Sequence, residues 1–314
     1  MKNYYLDSMM GLIVGDALGV PYEFSRREKL ADDPATDMIG YGTYDVPAGT
    51  WSDDSSMALA TLDSLRDGYA PEDIMRNFVD WLKNGEYTPF GEVFDVGCTC
   101  SRAIEDYSAN GDINSCGCGN SDDNGNGSLM RILPACIYFY EKENIGRLSI
   151  NEIIEDIHTI SALTHAHLRS KIACGLYYFL AKKMIDGSGS INERLQSGFD
   201  KGFAFYEADA GNSEELSYYD RLRNISEFAQ LPDSEIQSSG YVVASFEAAV
   251  WCIANTSDYR SCVLKAVNLG RDTDTVAAIA GGLAGLYYGY EGIPEEWIVK
   301  IAKREWIENL CRDM

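Results

Sequence analysis

Two short acid-rich segments hold the residue types best suited to binding a cation. They read Ser52-Asp53-Asp54-Ser55 and Asp272-Thr273-Asp274-Thr275. Hard divalent cations take oxygen ligands, and two such ions about 3.5–4 Å apart can orient a water and lower its pKa. Each segment alone could also be a helix start, where Ser, Thr and Asp are common caps. Two similar segments in one chain predict a divalent-cation site.

A glycine-rich segment, residues 124–131, could do a different kind of chemistry. It reads Asn-Gly-Asn-Gly-Ser-Leu-Met-Arg and leads into an apolar helical pattern. Glycine lets the backbone approach a ligand closely, and helix starts present free amides to phosphate. The segment matches neither a P-loop nor a dinucleotide fingerprint, so an ordinary turn stays an alternative. His165, beside Thr164, could reach a phosphate or could instead cap a helix end.

The nine cysteines of the chain allow two interpretations. In the first, zinc is bound by four thiolates, from the pairs Cys98 with Cys100 and Cys116 with Cys118. The one-residue spacing within each pair is less typical of zinc sites than a spacing of two to four residues. Free thiols in a reducing cytoplasm are the simpler interpretation, since no secretion signal pattern precedes them. Four further cysteines lie on apolar helix faces and are predicted core residues: Cys136, Cys174, Cys252 and Cys262.

The elements that must position these residues are predicted to be helices. Apolar residues recur with helical spacing, whereas sustained strand-type alternation is missing. The predicted helices cover residues 6–19, 57–65, 71–82, 132–140, 153–163, 172–184, 199–208, 242–253, 262–269, 276–288 and 297–310. Residues 38–43 could form a short ribbon, and residues 209–220 are predicted to be a solvated polar loop. The pattern predicts an all-α fold, with residues 1–314 forming one compact domain.

Composition and charge narrow the range of partners. The 314 residues include 26 Lys and Arg against 49 Asp and Glu, which gives a formal net charge of −23. A surface this negative repels phosphates and anionic lipids, so we expect neither nucleic acid nor a membrane as a partner. The sequence has no run of about 18 apolar residues, so it predicts no membrane span. The expected form is a cytoplasmic monomer.

Eight motifs occur in order along nearly the whole chain. They occupy residues 11–23, 51–54, 95–97, 125–131, 164–165, 240–243, 272–275 and 281–285. Each is weak alone, but the ordered set resembles the ADP-ribosylglycohydrolase family, which contains dinitrogenase reductase-activating glycohydrolase and the vertebrate ADP-ribosyl-acceptor hydrolases. The resemblance implies a multi-helix orthogonal bundle with a binuclear centre of Mg²⁺ or Mn²⁺, and the sequence does not choose between the two metals.

The resemblance also implies roles for individual residues. The metal-ligand positions fall on Ser52, Asp53, Asp54, Asp272, Asp274 and Thr275, with Ser52 where Thr is usual. Catalytic roles fall on Glu23, Asp54 and Asp95. Glu23 matches an acid that works near the metals and the scissile ribose, and Asp95 matches a second acid that helps to open or protonate the ribose ring. Substrate-binding roles fall on Asn126, Gly127, Ser128, Met130 and His165 near the diphosphate, and on Tyr241 and Val243 near the adenosine.

The activity that the resemblance implies is hydrolysis at C1″ of the distal ribose of an ADP-ribose adduct, with ADP-ribose as the product. Modified protein is the expected substrate and arginine the leading acceptor, while serine, a nucleic-acid base and O-acetyl-ADP-ribose stay open. A metal-dependent phosphoesterase and a non-catalytic ADP-ribose binder are competing interpretations. Two departures from the family pattern bear on substrate choice: Arg271 stands where a small residue is common, and the cysteine-rich segment 98–118 is additional.

Overall fold

The computed structural model describes residues 2–314, which form sixteen α-helices and five 3-10 helices without a β-sheet. The all-α prediction is therefore confirmed. The α-helices are α1 Tyr4–Gly19, α2 Arg27–Asp32, α3 Asp53–Arg66, α4 Pro71–Asn84, α5 Cys98–Asn110, α6 Leu133–Asn144, α7 Ile150–Ala162, α8 Leu168–Asp186, α9 Ile191–Glu207, α10 Ser213–Leu216, α11 Ile225–Phe228, α12 Val242–Ala254, α13 Tyr259–Asn268, α14 Thr273–Tyr288, α15 Glu295–Ile298 and α16 Arg304–Arg312. The 3-10 helices are Val20–Tyr22, Ala210–Asn212, Ser217–Arg223, Asp233–Glu235 and Tyr290–Gly292.

Helices α1 and α14 pack against each other in antiparallel orientation at very short range. A Cβ atom on Gly11 would lie 2.4 Å from the carbonyl oxygen of Gly281, and one on Gly19 would lie 2.3 Å from the Cα atom of Asp274. Only glycine permits backbones to approach this closely. The contact therefore brings the last turn of α1 against the acid-rich first turn of α14.

Local sequence signals set several helix ends. Helix α4 begins at Pro71, which fits the first helical position, and stops before Gly85, whose φ of +72° gives the left-handed cap. Helix α7 begins with a capping box in which Ser149 and Glu152 satisfy each other's backbone amides. These signals explain why many predicted helices agree with the structure to within a few residues.

The prediction of one continuous helix over residues 297–310 is wrong. Helix α15 ends at Ile298, and α16 begins only at Arg304. Between them Lys303 adopts a left-handed φ of +49°, and the amide of Ala302 donates to the carbonyl of Gly49 at 3.1 Å. The apolar residues keep a helical spacing on both sides of this break, so periodicity alone does not reveal it.

Other segments also differ from the sequence-based expectations. Residues 38–43 form no ribbon; the amide of Tyr41 donates to the carbonyl of Val46 at 2.5 Å, which closes a turn. Residues 209–220 are largely exposed, as expected, but they form three short helical pieces instead of a loop, with Leu216 and Tyr219 buried. Helices α2 and α5 were not predicted. Among residues 2–314, none of the helices combines the length and the apolar character needed to cross a bilayer.

Candidate active site

The first acid-rich segment is held in place by Asp16 of α1. Its carboxylate accepts hydrogen bonds from the amide and hydroxyl of Ser52, each at 3.0 Å, and from the amide and hydroxyl of Ser55, at 3.0 and 2.5 Å. Both carboxylate oxygens are thus engaged, and the residue is completely buried. Asp16 therefore fixes the turn that carries Asp53 and Asp54.

The second acid-rich segment begins α14 and meets the first one directly. The hydroxyl of Thr275 donates to Oδ2 of Asp54 at 3.2 Å, and the hydroxyl oxygen of Ser52 lies 3.1 Å from the same oxygen. The side-chain amide of Asn126 donates to Asp272 at 2.7 Å. Two segments far apart in the chain thus become one polar cluster, which also includes the glycine-rich segment.

Three buried carboxylate oxygens of this cluster have no hydrogen-bond partner. They are Oε2 of Glu23, Oδ1 of Asp54 and Oδ2 of Asp274. The acids form two groups in which one oxygen of each residue lies within 4.8 Å of the others: Asp16, Asp54 and Asp274, and Glu23, Asp272 and Asp274. Because an unpaired buried carboxylate is costly, this all-oxygen donor set fits hard divalent cations such as Mg²⁺ or Mn²⁺.

Burial and mutual repulsion raise the pKa values of the carboxyls in the cluster. Burial, followed by the charges of Asp16 and Asp53, raises the pKa of Asp54 well above its usual range. Burial, followed by the charges of Glu23 and Asp54, does the same to the pKa of Asp274. A divalent cation at this position would favour the ionised carboxylates and remove the repulsion between them.

Glu23 and Asp95 form a second carboxyl pair at the edge of the cluster. Burial, followed by the charge of Asp95, raises the pKa of Glu23 to about 8. Burial also raises the pKa of Asp95, against the opposing effect of the Tyr44 hydroxyl. Asp95 has a φ of +51°, which is uncommon for a residue with a side chain. Two carboxyls that share a site in this way can divide acid and base roles.

A cavity of about 400 Å³ joins the acid cluster to the glycine-rich segment. The predicted site residues on its wall are Glu23, Asp53, Asp95, Asn126, Gly127, Met130, His165, Asp272 and Thr275. Asp54 and Asp274 are fully buried and contact these wall residues or their neighbours. A cavity of about 780 Å³ between α7, α8 and α9 contains none of the predicted site residues. The smaller cavity is therefore the candidate active site.

The glycine-rich segment lies at the other end of this cavity, with Asn126, Gly127 and Met130 on the wall. Among residues 2–314, the backbone amides of Gly127, Ser128 and Leu129 find no hydrogen-bond acceptor. The segment itself is fixed, because the amide of Asn126 donates to the carbonyl of Gly240 at 3.0 Å. Consecutive free amides on a fixed turn suit the oxygens of a phosphate.

A hydrogen-bond chain behind this turn fixes the ring of His165. The buried guanidinium of Arg131 donates to the carbonyl of Gly127 at 2.6 Å and to the hydroxyl of Thr164 at 2.7 Å. Since arginine can only donate, the Thr164 hydroxyl accepts from it and can donate its own hydrogen to Nδ1 of His165, 2.7 Å away. This arrangement favours the tautomer with the ring proton on Nε2, on the side of Gly125. Burial, followed by the charge of Arg131, lowers the pKa of His165 to about 3, so the ring is neutral.

Three predicted substrate-binding residues do not place their side chains on the cavity wall. Ser128 is fully buried and absent from the wall, and its hydroxyl accepts a hydrogen bond from Ser161 at 2.9 Å. Tyr241 and Val243 lie outside the wall, because the start of α12 turns Val243 toward the core. Gly240 forms the wall in their place.

Asp16 is the residue of the site that the sequence analysis missed. It lies in an apolar helical pattern between Gly15 and Ala17. One signal in the sequence could have identified it: Asp16 is an acid within a helix whose other residues are mostly apolar and buried. A buried carboxylate needs hydrogen-bond or metal partners, so such a position indicates a site. Its partners in the 52–55 segment become evident only after α1 and α3 have packed together.

The zinc interpretation of the Cys-x-Cys pairs is wrong for the described residues 2–314. No group of three or more potential metal-ligating side chains there includes a cysteine. Cys100 instead contacts the guanidinium of Arg131 at 3.7 Å, and Cys118 accepts a hydrogen bond from Arg102 at 3.0 Å. All nine cysteines are free thiols, and the four predicted on helix faces are buried as expected.

Two residues with left-handed backbone conformations form part of the cavity rim. Phe24 has a φ of +61° and Arg271 a φ of +65°. The amide of Phe24 donates to the carbonyl of Arg271 at 2.6 Å, and the amide of Arg271 donates to the carbonyl of Ser25 at 2.7 Å. This reciprocal contact holds Glu23 beside Asp272 and leaves Phe24 69% exposed.

The chain is similar to known proteins over nearly its whole length. The model of the ADP-ribosylglycohydrolase family matches residues 2–314. ADP-ribosylarginine hydrolase Tri1 of Serratia proteamaculans is 32% identical over 98% of this chain and 77% of its own length. ADP-ribosyl-[dinitrogen reductase] glycohydrolase of Rhodospirillum rubrum is 29% identical over 94% of this chain and 89% of its own. A solved structure titled ADP-ribosylglycohydrolase-related protein complex superposes with a TM-score of 0.77 at 28% identity and covers 99% of this chain and 96% of that chain. The chain therefore belongs to the ADP-ribosylglycohydrolase family of hydrolases.

Proposed function

We propose that the protein hydrolyses the bond between C1″ of the distal ribose of ADP-ribose and an arginine side chain. One observation carries the proposal: a single cavity joins carboxylates with unpartnered oxygens to a turn of free amides. ADP-ribose likewise joins a ribose to a diphosphate, and the two halves match the two ends of the cavity. The Serratia relative is named for ADP-ribosylarginine, which makes arginine the first acceptor to test.

Two divalent cations, Mg²⁺ or Mn²⁺, complete the proposed site. The ligands would come from Ser52, Asp53, Asp54, Asp272, Asp274 and Thr275. The support is the set of buried carboxylate oxygens without partners, together with two hydroxyls that already contact Asp54. Such cations, when bound, would align the ribose hydroxyls and lower the pKa of a water.

Glu23 and Asp95 are proposed to move the protons of the reaction. Burial raises the pKa of both groups, and the charge of Asp95 adds to the rise at Glu23, which favours one shared proton on the pair. The ionised carboxylate accepts a proton from the water whose oxygen attacks C1″. The protonated carboxyl gives its proton to the guanidino nitrogen as the C1″–N bond breaks. The pair ends the reaction with one proton, as it began.

The diphosphate is proposed to bind at the glycine-rich segment. The amides of Gly127, Ser128 and Leu129 and the Nε2–H group of His165 would donate to its oxygens. A neutral donor at His165 binds an anion without the cost of burying a second cation beside Arg131. The adenosine would then extend past Gly240, in the direction of the Tyr241 and Val243 positions.

The test is product analysis with defined substrates. The protein is incubated with arginine-ADP-ribosylated and serine-ADP-ribosylated peptides, with Mg²⁺, with Mn²⁺ or with a chelator, and the products are identified by mass spectrometry. We expect cation-dependent release of intact ADP-ribose from the arginine peptide. Release from the serine peptide alone would change the acceptor, and AMP would indicate a phosphoesterase instead. Binding of ADP-ribose without any turnover, with the cation verified as bound, would identify a binder and contradict the proposal.

A further inference from the structure

Two surface grooves adjoin the mouth of the candidate active site. One, of about 380 Å³, shares Glu23 and Phe24 with the catalytic cavity. The other, of about 860 Å³, shares Ser239 and Arg271 with it. Both grooves include Arg26, so they form one continuous surface that leads away from the acid cluster.

This surface is positively charged in a chain whose net charge is −23. Four cationic residues line it, and we call them the basic groove: Arg26, Arg27, Lys29 and Arg271. Apart from the catalytic-cavity residue Glu23, Glu28 is the acid on its lining, and the charge of Asp233 acts on Arg27 from nearby. In residues 2–314 none of the four cations forms a salt bridge. The charges of Arg26, Lys29 and Arg271 are therefore available to a partner, whereas the guanidinium of Arg27 already donates to backbone carbonyls.

Hydrogen bonds hold the side chain of Arg27 and the backbone around Arg271 in place. The guanidinium of Arg27 donates to the carbonyls of Leu269 at 2.8 Å and Ile236 at 2.6 Å, and also to that of Asp233. The backbone of Arg271 is fixed by its reciprocal contact with Phe24 and Ser25. Because these parts of the groove are already fixed, they lose little conformational entropy when an anionic partner binds.

The position of the basic groove indicates which part of a substrate meets it. In the proposed function the scissile bond lies at Glu23 and the diphosphate lies toward His165. A groove that begins at Glu23, Phe24 and Arg271 is therefore on the side of the leaving group. That side faces the polypeptide that carries the modification.

We propose that the basic groove docks an acidic segment of the ADP-ribosylated protein, next to the modified residue. The proposal rests on the proposed function and adds the chemical class of the partner sequence. Carboxylates of Asp and Glu form charge-assisted hydrogen bonds with guanidinium groups. A short acidic segment meets only the groove, whereas a long nucleic acid also meets the negative remainder of the surface, which repels it. The groove thus favours an acidic peptide over a polynucleotide.

The experiment compares three arginine-ADP-ribosylated peptides that are identical except for flanking Glu, Gln or Lys residues. The protein with its cations is assayed for kcat/KM at low and high salt, beside the double variant R26E/K29E. We expect the wild type to prefer the Glu peptide over the Gln peptide by about five- to tenfold at low salt, through KM, from two or three exposed ion pairs. High salt should shrink this preference, and the variant should lose or reverse it.

A matched control separates local from global charge. The double variant R147E/K201E makes the same change in net charge at exposed residues outside both grooves. It should keep the wild-type preference for the Glu peptide. Free ADP-ribosylarginine, which cannot reach the groove, should be hydrolysed equally by all three proteins and so reports that each is folded.

The outcomes distinguish the two proposals. Equal kcat/KM for the three peptides, with normal hydrolysis of ADP-ribosylarginine, would overturn the docking proposal and leave the proposed function standing. No hydrolysis of any substrate, including ADP-ribosylarginine, would overturn both. An ADP-ribosylated oligonucleotide that outcompetes the Glu peptide, with an advantage that R26E/K29E removes, would assign the groove to nucleic acid and also overturn the docking proposal.

Discussion

The two ends of the catalytic cavity handle buried charge in opposite ways. At the acid end, carboxylates crowd together, and oxygens of Asp54 and Asp274 have no partner. At the phosphate end, the buried cation Arg131 donates to backbone and hydroxyl oxygens and stacks on Phe78, 4.7 Å from the ring centre. The acid end is therefore where the proposed cations would bind, whereas the end proposed to bind the phosphates, here called the phosphate end, is organised by the protein's own hydrogen bonds.

The largest expected effect comes from removing a carboxylate at the acid end. Asp274→Ala should lower turnover by about a thousandfold or more, because a cation site that supplies several kcal/mol would be lost. The variant should stay folded without metal, since the change removes an orphaned buried charge. Release of ADP-ribose and thermal unfolding measure the two effects. Asp200→Ala, which removes an exposed acid, is the control and should keep normal turnover. Normal turnover by Asp274→Ala would contradict the metal assignment.

Cation binding should stabilise the acid end and leave the phosphate end unaffected. Mg²⁺ or Mn²⁺ at about 100 times its dissociation constant should add about 2.7 kcal/mol to the free energy of unfolding. Scanning calorimetry of chelator-treated protein, with and without added cation, measures this gain. Asp54→Asn should abolish most of it and Thr164→Val should not. Equal stabilisation of the wild type and Asp54→Asn would place the cations elsewhere.

At the phosphate end, Thr164→Val should break the hydrogen-bond chain while keeping the side-chain volume. We expect KM for the ADP-ribosylated peptide to rise about tenfold with kcat nearly unchanged, because one oriented donor is lost. Thr164→Ser should restore the wild-type KM. If Thr164 had a purely structural role, Thr164→Val would instead lower kcat, kcat/KM and the free energy of unfolding together.

The same variant should leave a spectroscopic signature. The chain has three histidines, so their imidazole nitrogen signals are easily assigned by NMR. In the wild type, Nδ1 of His165 should report an acceptor and Nε2 a protonated nitrogen. Because its pKa is lowered to about 3, the signals of His165 should not shift between pH 5 and 8. Titration within that interval would contradict the neutral donor.

The smallest expected effect concerns the Ser52 position, where the family usually has Thr. Ser52→Thr keeps the hydroxyl that contacts Asp16 and Asp54, so kcat/KM should change by no more than about twofold. Ser52→Ala removes both contacts and should cost roughly 1 kcal/mol of stability, with a larger fall in activity. Chemical denaturation and the peptide assay distinguish the two variants. An equal loss in both would mean that packing, not the hydroxyl, is important at this position.

Much of the fold could be predicted from periodicity, and the errors have physical causes. Helix α4 was predicted because large apolar residues follow its helical spacing. Helix α5 was missed because its buried face consists mainly of small side chains, Cys100 and Ala103, with Ile104. The break before α16 was missed because it depends on a hydrogen bond from Ala302 to the distant residue Gly49.

The site residues likewise divide into those that local sequence identifies and those that depend on tertiary contacts. The acid-rich turns and the glycine-rich segment could be identified from local composition, because their residue types restrict the chemistry. The role of Asp16 could not, because its four donors come from another helix. The family resemblance predicted Tyr241 and Val243 near the adenosine, yet the direction of α12 keeps both off the cavity wall.

The sequence by itself determined which oxygens and amides the site contains and that helices carry them. Only the tertiary structure decided which of these groups have no hydrogen-bond partner, that burial and repulsion raise the pKa values of Glu23 and Asp274, and that the hydroxyl of Thr164 lies beside Nδ1 of His165. The reason is that side-chain types are local properties, whereas burial, repulsion and hydrogen-bond direction depend on neighbours that folding brings from distant parts of the chain.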